Sequence, residues 1–106
     1  MTQQHFNIVL PGFELAADNS NPGESRWKVG FVSNVHTNTV MVSALLEGRT
    51  VKEIQDVASG RDVFVDGPIS NPLVAAFSRI VGATAKSLSI NAPRENAYVT
   101  VFKIHD

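Results

Sequence analysis

Cysteine is absent from the 106 residues. That excludes disulfides, thiolate nucleophiles and cysteine-ligated metals. Charge is scarce too: Asp, Glu, Lys and Arg make up 18%, below the roughly 25% usual in soluble domains. Fewer charges leave less surface that must face water, so burial against a partner is expected. The formal net charge is only -1, and no overall field draws the chain to nucleic acid or an anionic membrane. Between Gly67 and Arg94 every charge is positive, yet Arg79, Lys86 and Arg94 are too few and too spread for a nucleic-acid surface. Long apolar runs are missing as well. No segment reaches the roughly 20 residues of a membrane span. The first residues lack a basic start, and their apolar piece, Ile8, Val9 and Leu10, stops at Pro11. A soluble cytoplasmic protein, without membrane attachment, is expected.

What is present suffices for a fold. Hydrophobic residues make up 43%, and the length suits a single domain spanning residues 1–106. Such a domain buries roughly two-thirds of the surface that its unfolded chain exposes.

The stretch Asn71 to Ile90 carries the longest helical periodicity. Leu73, Phe77, Ile80, Thr84 and Leu88 recur three or four residues apart, which places them on one stripe. Val74, Val81 and Ala85 widen it, and Arg79 and Lys86 are its only charges. Asn71 is a natural N-cap and Pro72 suits the first helical position, so a helix is expected from there to about Ser87. A helix so poor in charge needs cover on more than one side.

The rest of the chain reads as strands around one further helix. His5 to Leu10 alternates as a strand and ends at Pro11-Gly12. Residues 16–25 are rich in turn formers and read as a mobile polar connector. Arg26 to Val32 is the clearest strand, with Trp27, Val29 and Phe31 opposite Arg26, Lys28 and Gly30. Val35 to Thr39 looks like a hairpin turn, returning as a strand over Val40 to Leu46. Thr50 and Glu53 have capping-box spacing, which predicts a short helix over about 51–58. Asp62 to Asp66 follows as a strand. Ala97 to Ile104 is apolar on both faces and reads as an interior strand. The order βββαβαβ predicts an α+β, two-layer sandwich: a mainly antiparallel sheet of about five strands with one short and one long helix. If the last strand is apolar on both sides, the open face of the sheet needs a cover, and a second copy of the chain is the simplest one.

No chemical motif stands out. His5 and His105 flank the two terminal strands, and His36 sits near Ser33, Thr37 and Thr39, but no group is spaced to orient a base or complete a metal site. Asp62 and Asp66 share one side of a strand at roughly 13 Å, too far apart for a carboxylate dyad. Arg49 and Thr50 at one helix start, and Asn71 at the other, are weak candidates for an anion site. Around the helix, Val74, Arg79, Val81, Gly82, Ala85 and Lys86 are the candidate interface. The expectation is a non-catalytic protein that acts by protein–protein binding: an oligomeric subunit, adaptor or inhibitor, with a second copy or another protein as partner and no cofactor. The alternative is a small enzyme or ligand-binding domain with an anion site near Arg49 or Asn71.

Overall fold

The computed structural model describes residues 3–31, 37–67 and 69–104. They form strands β1 (His5–Leu10), β2 (Phe13–Asp18) and β3 (Glu24–Phe31), then helices α1 (Asn38–Leu45) and α2 (Gly48–Ala58). Strand β4 (Asp62–Asp66), helix α3 (Asn71–Val81) and strands β5 (Ser87–Ala92) and β6 (Ala97–Lys103) complete the chain. The strands make one sheet in the order β1-β2-β3-β4-β5-β6. β1, β2 and β3 form an antiparallel meander, β3, β4 and β5 run parallel, and β6 returns antiparallel.

This corrects the expected architecture. The domain is α+β, but its six-stranded sheet is mixed, and it carries three helices rather than two. The expected strand over Val40–Leu46 is helix α1. A short apolar run suits either state, but here Met41 and Leu45, one helical turn apart, take the buried positions. Thr37, placed in the expected hairpin turn, caps α1 by accepting from the Val40 amide at 3.3 Å. His36 and the rest of the proposed turn before Thr37 lie outside the described residues. Because α1 is a helix, no hairpin follows β3. The chain instead crosses over to the parallel strand β4, which requires such a connection.

The long helix ends at Val81, not near Ser87. Leu88 fits both a helical and a two-residue period. Ser87 and Ser89 alternate with Leu88 and Ile90, and the segment is drawn into the sheet between β4 and β6. The capping box is absent as well. Thr50 is the third residue of α2 and buried, and Glu47 occupies the cap position.

Strand β2 begins before the expected connector of residues 16–25 and takes its first three residues, Ala16 to Asp18. Phe13, Leu15 and Ala17 are its buried positions, and alanine carries little strand signal. Pro11-Gly12 is a tight hairpin between the register partners Leu10 and Phe13, with Gly12 at φ +83°, as a Pro-Gly type II turn requires. The connector after β2 is tied down: the amide of Asn19, a buried residue, donates to Gln4 O at 2.7 Å. Its side chain donates to Val57 O at 2.9 Å. Arg61 donates to Glu24 O at 3.0 Å across the same loop.

The core lies between one face of the sheet and the three helices. Ile8, Phe13, Leu15, Trp27, Val63, Val65 and Leu88 point from the strands toward Met41, Leu45, Ile54, Leu73, Phe77, Ile80 and Val81. Both parallel crossovers step the same way along the sheet, and right-handed crossovers then place their helices on one face. Trp27 is the centre of this layer. It meets Phe77 edge-on at 5.1 Å between centroids, and its indole N–H donates to buried Ser25 at 2.8 Å.

Candidate functional site

The helix-free face of the sheet is polar, so it does not need the apolar cover expected for it. Alternation sends Glu14, Asp18, Glu24, Arg26, Lys28, Asp62 and Asp66 to this side, opposite their buried neighbours. Arg26 and Phe64 are register partners on β3 and β4. The guanidinium lies over the Phe64 ring at 4.5 Å from its centroid, and Phe64 meets Tyr98 edge-on at 5.3 Å. Arg26 pairs with Glu24 at 3.3 Å and donates to the Tyr98 hydroxyl at 3.3 Å. That hydroxyl in turn donates to Asp66. The bond to the carboxylate, followed by partial burial, pushes the Tyr98 phenol above its ordinary pKa. Asp62 accepts from Ser87 at 2.7 Å, and Ser89 and Thr100 share a bond of 2.9 Å. These groups are occupied with one another, and the network fastens β6 to β3 and β4.

Next to this network lies a shallow hollow of about 310 Å³ around Ala16, whose small side chain leaves room between Asn7 and Lys28. Arg26 and Lys28 face Asp18 and Asp66 around it, so neither sign dominates.

β6 is the other unusual feature. It was expected in the interior, but among the described strands it lies at the edge and pairs with β5 alone. Its outer edge therefore carries free backbone donors and acceptors. Val99 is 44% and Val101 50% exposed, and Tyr98 and Ile104 are also exposed. Val99 is the register partner of Ile90 on the helix side. Between Ile90 and α3 lies an apolar hollow of about 530 Å³, lined among others by Ile69, Val74 and Pro93. Lys103 is the only charge in the strand. A register shift at Leu88/Ser89 leaves Val101 without a partner on β5.

The candidate interface residues separate in space. Val81 and Ala85 are fully buried in the core. Arg79, Gly82 and Lys86 are exposed, and Val74 is half-buried beside the hollow near β6. Of the three anion-site candidates, Arg49 and the largely buried Thr50 line one hollow together with Glu47 and Glu53, whereas Asn71 lines a different one beside Ile90. The two carboxylates near Arg49 oppose an anion there. His5 is exposed, 3.9 Å from Asp18, and His105 lies outside the described residues. Among the described residues no three His, Asp or Glu side chains gather as metal ligands, and no helix is long and apolar enough to cross a membrane.

Sequence reasoning missed the Arg26–Phe64–Tyr98–Asp66 network. Alternation places Arg26 on a polar face, but its partners come from β4 and β6, and nothing local links them. No protein-family model matches the chain, and no curated protein is significantly similar to it.

Proposed function

We propose that the chain is a non-catalytic binding protein, an oligomeric subunit in the first instance, that associates through the free edge of β6. The observation that carries this reading is the edge itself: a seven-residue strand with Val99, Val101 and Tyr98 exposed and a single charge. Edge strands of globular proteins are normally blunted by charge, proline, a β-bulge or a covering element, because an open edge is a template for pairing; in β6 the irregularity and Lys103 fall toward its end and leave Ala97 to Thr100 open. Strand addition supplies affinity through main-chain bonds and specificity through alternate side chains. The low charge fraction supports the same reading. Adaptor or inhibitor roles would use the same edge on another protein.

Light scattering over a concentration series tests the proposal. The expected mass rises above the 11.5 kDa of one chain, and Val101→Lys returns it to that value. A strict monomer, or an oligomer indifferent to Val101→Lys, overturns it.

A second reading, a ligand-binding domain or small enzyme, has one specific observation in its favour. α1 and α3 begin side by side beyond the carboxyl ends of the parallel strands β3 and β4, and Ser70 donates to Asn38 at 2.9 Å between them. Ligands of parallel sheets gather at such ends, and free helix amides favour anions. This reading moves the anion site to Asn71 and away from Arg49. A thermal-shift panel of nucleotides and phosphorylated metabolites tests it. Ligand at ~100 times its dissociation constant adds ~2.7 kcal/mol, and a flat panel argues against the reading.

A further inference from the structure

We infer that the partner of β6 is β6 of a second copy, paired antiparallel about Val99, so that two six-stranded sheets join into one. The inference rests on the β6 reading above and adds the partner and the register.

Pairing a strand with its own copy across a two-fold axis is antiparallel and closes after two chains. Residues set opposite each other must point to the same face of the joined sheet. Tyr98 and Thr100 partner Asn91 and Ser89 on the helix-free face, whereas Ala97 and Val99 partner Ala92 and Ile90 on the helix side. The irregularity at Leu88/Ser89 breaks this alternation. Beyond it Phe102 partners Leu88 on the helix side, and Lys103 partners Ser87 on the other. Centring the pair on Thr100 would set Tyr98 opposite the partner's Phe102, on conflicting faces. Centring it on Tyr98 would leave Val101 outside the pairing. Centring on Val99 keeps Tyr98 to Thr100 in register and still holds Val101 within the paired stretch.

In this register Val99 meets the partner's Val99, Tyr98 meets the partner's Thr100, and Ala97 meets the partner's Val101. The two Val99 side chains thereby cover each other, and Val101 is set across from Ala97 at the irregular end of the strand. The alternation break then marks the end of the shared ladder. Pairing β6 with the opposite edge strand, β1, does not close after two chains and gives rings or filaments.

The absence of cysteine makes the register directly measurable. Opposed Cα atoms in an antiparallel pair lie about 4.5–5.5 Å apart, within disulfide reach. Val99→Cys is therefore expected to give a disulfide-linked dimer under mild oxidation, read on a non-reducing gel. Thr100→Cys is not, since the two Thr100 positions are roughly 8 Å apart in this register and disulfides need less than about 7 Å. Ala97→Cys mixed with Val101→Cys is expected to cross-link as a heterodimer. An oligomer sensitive to Val101→Lys in which Thr100→Cys cross-links better than Val99→Cys overturns the register and leaves the β6 reading standing. A mass that grows without limit shows β1–β6 pairing and overturns the two-fold dimer. A monomer at every concentration overturns both.

Discussion

At the scale of single residues, two aromatic side chains divide the work between the faces of the sheet. Trp27 is the only tryptophan, and it is 1% exposed. Trp27→Phe keeps most of its apolar contact but leaves the buried Ser25 hydroxyl without its donor. A buried polar group left unpaired costs about 1–3 kcal/mol. The variant should lose that much stability in urea, followed by circular dichroism because the fluorophore is gone. Tyr98 is the only tyrosine, so its ultraviolet titration is unambiguous. Its phenol is raised by the bond to Asp66 and then by burial, and the midpoint should lie above the ordinary value near 10. Asp66→Ala should bring it back down. The sign for stability follows. A folded pKa above the unfolded one favours the protonated phenol in the folded state. The contribution is therefore complete below pH 10 or so and is lost as pH rises through the folded value.

At the scale of elements, helix starts separate true caps from coincidental spacing. Thr37 accepts from the amide of Val40, three residues on, and its loss removes one satisfied amide of α1. Thr37→Ala should cost about 0.5–2 kcal/mol. Glu53 has the spacing of a capping box with Thr50, yet it is an exposed residue well inside α2. Glu53→Ala should change stability by no more than about 0.5 kcal/mol. Paired denaturation curves of the two variants check both values. β6 raises a different question at this scale. It is held to β5 by a ladder and to β3 and β4 through Tyr98. Phe102 packs against the core, whereas Val99 and Val101 stay exposed.

At the scale of the whole molecule, one chain is already compact. Its Cα radius of gyration, 13.2 Å, is close to the ~13 Å of a folded chain this long. Association through β6 therefore adds to a formed domain. Its stability should nevertheless depend on protein concentration, because a bound partner stabilises only the folded state. The melting temperature should climb across a concentration series for the natural chain. It should stay level for Val101→Lys, and calorimetry would show both.

By itself the sequence determined the strands at His5–Leu10, Arg26–Phe31 and Asp62–Asp66, a helix over 51–58, and the helix start at Asn71. In each of these the local period and the burial agree, although Glu47 and Ser70 take the cap positions expected for Thr50 and Asn71. It also determined the α+β class. Three segments were decided elsewhere. Val40–Leu45 and Ser87–Ile90 are short apolar runs compatible with helix or strand, and what settled them was which neighbours they could bury against. Ala16 and Ala17 carry no preference strong enough to announce β2. The apolar alternation of Ala97–Lys103 looked like an interior strand because the sequence records apolar side chains and not strand order. Parallel pairing of β3, β4 and β5 sets that order, and it leaves β6 at the edge. The same pairing brings Arg26, Phe64 and Asp66 beside Tyr98. Such a cluster exists only once strands far apart in the chain lie next to one another, so no local pattern could have shown it.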